Sequence, residues 1–280
     1  GQPRNRFAAH MHGVLGRDHT SPLDLLADGR RELARYDTVE VRTGGIASAT
    51  VVDGGFDVVL DSGATLGTRR ILLATGLRDD LPAIPGLAEQ WGRGVVVCPY
   101  CDGWEVRDRR IAIIAGGPTS THQAQLMRQL SADVTYVVNG SSLPDESRVG
   151  LLARGIAIEE RAAAAIETDV DDSLTGIRLA DGTLLAVDAV FAAPRPQPLD
   201  ALARSLGATI VDRQGASWLD VDAMGRTSVP GLWAAGNVTD ARSSVPFAMA
   251  AGNMAGAGLN ADLVDEDVRA ASAGAGRLVP

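Results

Sequence analysis

The chain has 280 residues, 45% hydrophobic and 22% charged, which is enough for about two domains. With only 4% aromatic residues, the core must be built from Val, Leu, Ile and Ala. A net charge of −9 without a basic cluster excludes the cationic face that nucleic acid requires, and no apolar run approaches the ~18 residues of a membrane span. The N-terminus carries no charged-then-apolar leader, so a cytoplasmic setting is expected, where reducing thiols suit a disulfide that opens and closes. All 26 basic residues are Arg, which we read as genome composition rather than function.

Residues 1–16 are rich in Arg, His and Gly and lack periodicity. Ser21 then reads as an N-cap with Pro22 at the first helical position, opening a helix to about Tyr36 with Leu23, Leu26 and Leu33 on one face. Short strands are expected over 39–42, 46–52, 57–60 and 65–74 with Gly-rich turns between them, a meander leading into the strand 70–76. The two prolines of 81–86 mark a connection into a second domain, which returns to the first near Ala223. In that second domain Ile111 to Ala115 is a strand, Gly116-Gly117-Pro118-Thr119-Ser120 a turn, 122–130 a helix and 134–138 a strand, the start of a dinucleotide fold. Glycine at such a turn lets the backbone approach a pyrophosphate, and the helix N-terminus offers it free amides. The match to G-x-G-x-x-G is imperfect, because Ala115 takes the first glycine position and Ser120 the third. Near the C-terminus, 231–240 is an apolar strand ending in Gly236-Asn237, and Pro246 starts a helix of small residues to about Leu259, which suits close packing on a backbone or a planar ligand.

Cys98-Pro99-Tyr100-Cys101 is the only cysteine pair, ten residues ahead of the Ile111 strand. A disulfide across so short a loop opens and closes at cellular thiol potentials, which points to redox chemistry. The competing readings are half a zinc site or a small structural bridge. Zinc needs two more soft or imidazole ligands, and His10, His12, His19 and His122 have neither partner cysteines nor the spacing of a zinc motif, so no metal is expected. Glutaredoxins also carry CPYC, but their second cysteine lies in a long helix near the start of the module, and Asp102-Gly103 followed by a strand leaves no room for one here.

Taken together, Pro3-Arg4-Asn5, His12-Gly13, Ala74-Thr75-Gly76, the run Trp91-Gly92 to Glu105, and 227–240 in their order and spacing resemble low-molecular-weight thioredoxin reductases. These belong to the flavin-dependent pyridine nucleotide-disulfide oxidoreductases. The resemblance implies an α/β fold of two dinucleotide-binding, Rossmann-like, three-layer domains, with the FAD domain discontinuous: 1–86 and 223–280 for FAD, and 87–222 for an inserted pyridine nucleotide and redox-disulfide domain. It further implies FAD and NAD(P)H as cofactors, a homodimer, and a small disulfide or dithiol or a thioredoxin-like protein as substrate. Cys101 then faces the flavin, Cys98 exchanges with substrate, and Asp102 is the acid that protonates a departing thiolate, or else caps the turn after Cys101. Asn5, His12, Thr75, Gly76, Gly116, Gly117, Gly236, Asn237 and Val245 fall at cofactor-binding positions. Asn237 replaces the Asp that usually binds the flavin ribityl chain, but its amide can still hydrogen-bond a hydroxyl.

Two departures bear on the cofactors. The strand and glycine turn for the FAD pyrophosphate precede the stretch that Gly1 to Asn5 matches, so about thirty residues of the family pattern are absent, and the 280-residue chain is expected to be N-terminally truncated and to hold FAD poorly. Strand 134–138 is followed by Asn139-Gly140-Ser141-Ser142, without the arginines that pair with a 2′-phosphate, and Pro194-Arg195 stand where the insert's last strand usually reaches a glycine. The leading expectation is electron flow from NAD(P)H through FAD to Cys98-Cys101 and on to substrate. The alternatives are an oxygen-using dithiol oxidase independent of NADPH, or a degenerate fragment without catalysis.

Overall fold

The computed structural model describes residues 2–117, 119–213 and 215–275. In chain order its elements are α1 (Pro22–Leu33), the strands β1 (Ile46–Val52), β2 (Gly55–Leu60), β3 (Thr65–Thr68), β4 (Ile71–Leu73), β5 (Leu77–Asp80) and β6 (Val95–Val96), and the short helix α2 (Pro99–Asp102). Then follow β7 (Ile111–Ile114), α3 (Ser120–Met127), β8 (Val134–Val137), α4 (Asp145–Ala153) and β9 (Ala157–Glu159), and after these β10 (Ala163–Thr168), β11 (Leu174–Leu179), β12 (Leu184–Ala186), β13 (Ala189–Ala192) and β14 (Arg195–Pro198). The chain closes with α5 (Ala201–Ser205), β15 (Ile210–Arg213), β16 (Ala216–Leu219), β17 (Leu232–Ala234), a 3-10 turn over Gly236–Val238, and α6 (Val245–Ala275). Two compact units result, one from 1–4, 30–78 and 196–280, the other from 5–29 and 79–195.

The second unit is a three-layer α/β structure. Its sheet has the order β6-β13-β7-β8-β9 with all pairings parallel. All four residues of β7 are buried, the mark of a parallel strand covered on both faces. Alternation divides them: Ile111 and Ile113 pack with Ala124 and Met127 of α3 and Leu151 of α4, while Ala112 and Ile114 pack with Ile166, Ile177 and Leu179 of the antiparallel β10-β11-β12 meander. Each of the isoleucine, leucine and methionine side chains contributes roughly 1.5–3 kcal/mol by leaving water.

In the first unit β4 and β17 pair in parallel, beside the meander β1-β2-β3 and the hairpin β15-β16. Leu232 and Ala234 of β17 face Phe56, Val58 and Leu219, while Trp233 and Ala235 face Ala255 of α6. The second half of α6 is tied back to the start of β4 by Arg70, whose guanidinium lies 2.7 Å from Asp262 and also pairs with Glu266.

Several local expectations differ from the structure. Residues 39–42 form no strand; they are exposed, with Glu40 and Arg42 paired to each other. The stretch 65–74 is two strands, because β3 pairs antiparallel with β2 whereas β4 pairs parallel with β17, and the Thr68 hydroxyl donates to the Arg70 carbonyl at the break. Ser21 does cap α1, accepting from the Leu23 amide at 3.2 Å, but Leu23, Leu26 and Leu33 are exposed. Helix α6 runs to Ala275 rather than Leu259. The compact units exchange at 4–5, 29–30, 78–79 and 195–196: residues 5–29, counted with 1–86 by sequence, fall in the other unit, and the β15-β16 hairpin and α5, counted with the insert, place Leu219, Ala203 and Ala208 in the same core as Phe56 and Leu232.

Candidate active site at the Cys98–Cys101 turn

Cys98 and Cys101 form a disulfide with Cα atoms 5.1 Å apart. Cys98 is extended, at φ −109° and ψ 111°, and caps α2, with Pro99 preset for the first helical position. Its carbonyl accepts from the amides of Cys101 at 3.1 Å and Asp102 at 3.0 Å, so one helical turn brings the sulfurs together. Gly103 follows the turn at a position where a Cβ would collide with the Pro99 carbonyl and the Leu130 side chain, so no larger residue fits there. Cys98 is half-buried and Cys101 exposed; Tyr100 and Trp104 flank them in solvent, with the Arg107 guanidinium 4.3 Å above the Trp104 ring.

Asp102 is largely withdrawn from water, and that burial together with the negative charge of Glu105 raises its carboxyl to a pKa of about 6, against a smaller opposing effect of His12. An acid with that pKa can hold and release a proton near neutrality. Behind it lies a group that sequence reasoning did not assemble. Met11 pairs with the strand-like return of the chain, its amide donating to Thr20 and its carbonyl accepting from His19, and buried Met11 anchors the turn. His10, His12 and His19 are thereby brought around Glu105. His12 uses both ring nitrogens, Nδ1 at 2.9 Å from Asp18 and Nε2 at 2.8 Å from Glu105, and these hydrogen bonds, Asp18 first, raise its pKa while holding that of Asp18 down. Burial, the largest single influence, pushes the Glu105 carboxyl up, but the hydrogen bond from His12, a backbone hydrogen bond and the charges of His12 and His10 together leave the acid below its ordinary value. The H-x-H spacing of His10 and His12, which puts alternate residues of an extended chain on one side, was the signal available in the sequence.

The Gly116-Gly117 turn lies at the carboxyl end of β7 and leads into α3, the edge of a parallel sheet where nucleotides bind. The Ser120 hydroxyl accepts from the Gly116 amide at 3.1 Å, and a Cβ on Gly116 would press on the Ala193 carbonyl at 3.1 Å. Around Gly117 there is open space for a Cβ, as a backbone approached by a phosphate needs. After β8, Asn139 has φ 51° and its side-chain oxygen accepts from the Ala163 amide, so this position serves the turn. Arg161, just past β9, pairs with Glu159 and Asp181, and Arg148 of α4 pairs with Glu160.

In the first unit, Thr75-Gly76 and Gly236-Asn237 follow the carboxyl ends of the parallel pair β4 and β17, where Leu73 and Ala234 are in register. Gly76 and Gly236 have φ 73° and 79°, left-handed values that favour glycine, and both leave room for a Cβ-sized group. That open carboxyl edge fits a dinucleotide. The Thr75 hydroxyl donates to the Leu199 carbonyl at 2.6 Å. The Asn237 amide nitrogen donates to the carbonyls of Asp240, Ala241 and Ser243, which organise the loop before α6, so its side-chain oxygen is what remains for a ligand. Asn5 is half-buried in the other unit, and half-buried Val245 opens α6.

A parallel α/β unit with a glycine turn at the strand ends and a two-residue dithiol loop defines a disulfide-bearing protein of the nucleotide-binding class. The family model of pyridine nucleotide-disulphide oxidoreductases matches residues 18–255, and the chain belongs to that family, which uses FAD and NAD(P)H. It is 33% identical over 195 residues to thioredoxin reductase tcpT of Claviceps purpurea, covering 67% of this chain and 58% of that one. Thioredoxin reductase sirT of Leptosphaeria maculans is 29% identical over 285 residues, covering 96% and 86%. The crystal structure of HlmI superposes with a TM-score of 0.92 at 40% identity, covering all of this chain and 88% of that one. Among the described residues no helix is long and apolar enough to cross a membrane.

Proposed function

We propose that the protein is a flavin-dependent disulfide/dithiol oxidoreductase in which Cys98 and Cys101 exchange electrons with a thiol or disulfide substrate. The observation that carries this reading is a carboxyl of pKa about 6 immediately following the exposed Cys101 of a two-residue disulfide loop. The unit containing β4, β17 and α6 would hold FAD at Thr75, Gly76, Gly236, Asn237 and Val245, and the unit containing β7 and α3 would hold the nicotinamide nucleotide at Gly116-Gly117. FAD, when bound, supplies a two-electron carrier between the nicotinamide nucleotide and a disulfide. The Cys98–Cys101 bond takes up two electrons and two protons and becomes two thiols, and Asp102 supplies a proton to the departing sulfur.

Cys98, as thiolate, then attacks the substrate disulfide. A bond forms between Cys98 and one substrate sulfur, the substrate disulfide breaks, and the other sulfur leaves and takes a proton. Attack of Cys101 on Cys98 restores the internal disulfide and frees the second substrate thiol. A Cys101→Ser variant cannot complete that last step, so it should retain a substrate disulfide-linked to Cys98, releasable by dithiothreitol. Recovery of substrate on a Cys98→Ser variant instead would reverse the assignment of the two sulfurs. A second reading, oxygen-dependent dithiol oxidation, is supported by the turn after β8, where residues 139–142 carry no arginine to pair with a 2′-phosphate. With NADPH and with NADH as donors, failure of both to reduce the flavin-loaded protein while oxygen sustains dithiol oxidation would favour it.

A further inference from the structure

We propose that His10, His12, His19 and Glu105 form a binding site for a divalent transition-metal ion of the zinc class. One ligand atom from each lies within 4.8 Å of every other. Three imidazole Nε2 atoms converge on the same carboxylate oxygen, Glu105 Oε1, at 2.8 Å for His12, 3.4 Å for His10 and 3.6 Å for His19. The shortest is a hydrogen bond; the other two are too long for good ones. Those separations instead suit ligands around a common ion: zinc bonds of about 2.0–2.1 Å to nitrogen and oxygen in a tetrahedron place neighbouring ligand atoms about 3.3 Å apart. The entry of an ion therefore needs only a slight opening of the His12–Glu105 contact.

Three further observations support the assignment. The second carboxylate oxygen of Glu105 is buried with no hydrogen-bond partner, an orphan that a metal-bound carboxylate would resolve. Asp18 accepts from His12 Nδ1 at 2.9 Å, the carboxylate–histidine arrangement that fixes a ligating imidazole with its other nitrogen toward the metal. His19 occupies φ 62°, a left-handed backbone where a side chain costs energy, and the turn pays that cost to bring a third imidazole into the group. Imidazoles and one carboxylate are the donor set of Zn²⁺ and Co²⁺ rather than of Mg²⁺ or Ca²⁺.

The test uses the protein with its disulfide intact, stripped with a chelator and titrated with Co²⁺, whose four-coordinate complexes absorb strongly in the visible, and then displaced by Zn²⁺. One ion per chain should bind. His19→Gly, which also relieves the left-handed backbone and so keeps the fold, and Glu105→Gln should each weaken binding, and Asp18→Asn should weaken it by about 10–100-fold. Because reduced cysteines also bind zinc, a Cys98→Ser/Cys101→Ser variant is titrated alongside and should bind as the parent does. Absence of the cobalt spectrum, an affinity unmoved by His19→Gly and Glu105→Gln, or loss of binding with the cysteines would each overturn the assignment.

Discussion

Replacing Asp102 by Asn separates what the carboxyl does for chemistry from what it costs the fold. Its pKa rises from 3.8 to about 6, first because the group is buried and then because Glu105 is negative. At pH 7 about a tenth of such an acid is protonated, roughly a hundred times more than an unperturbed aspartate. A group with a raised folded-state pKa favours the folded state fully below its unfolded pKa, and that advantage disappears as pH climbs through the folded value. Ionised Asp102 therefore burdens the fold above about pH 6, and a shift of this size corresponds to about 3 kcal/mol at pH 7.5 and to almost nothing at pH 3. Urea unfolding of parent and variant across that range should show Asp102→Asn gaining stability relative to the parent between pH 4 and pH 6.5, while thiol–disulfide exchange at neutral pH slows by about 10²-fold or more. A stability difference that stays flat with pH would refute the argument that burial sets this acid, and unchanged exchange would refute its role as proton donor.

Gly117→Ala should leave unfolding free energy within ~0.5 kcal/mol, since nothing lies within 4 Å of the added Cβ, yet weaken nicotinamide nucleotide binding by about tenfold, read by fluorescence titration. Gly225→Ala should cost at least ~2 kcal/mol in denaturant unfolding, because Gly225 has φ 79° and the methyl would stand 2.7 Å from the Ala234 carbonyl. Arg70→Met removes the half-buried partner of Asp262 and Glu266, and about 2 kcal/mol of stability should go with it, with faster amide exchange around Asp262 and Glu266 of α6 as the local signature.

The parts of the site set by neighbouring residues were legible in the sequence. The dithiol turn, the acid beside it and the strand–glycine–helix order around Gly116-Gly117 depend on contacts a few residues apart, where Pro99, Gly103 and the apolar run of β7 leave little choice. The histidine group was not legible, because its members were judged by cysteine spacing, whereas the backbone pairing of Met11 with His19 and Thr20 gathers the histidines and the Glu105 they meet lies far along the chain. The β15-β16 hairpin illustrates the same limit: chain order placed it with the insert, whereas the core it joins is decided by Leu219 meeting Phe56 and Leu232. Exposed Leu23, Leu26 and Leu33 show that a helical stripe states only which side is apolar.

Counting thiols in the flavin-loaded protein under anaerobic conditions tests the central claim most directly. Addition of NADH or NADPH should convert the Cys98–Cys101 disulfide into two titratable thiols per chain, and subsequent addition of a disulfide substrate should consume both. If turnover proceeds while the thiol count stays at zero, or persists after both cysteines are changed to serine, the sulfur pair is not the carrier and the account fails.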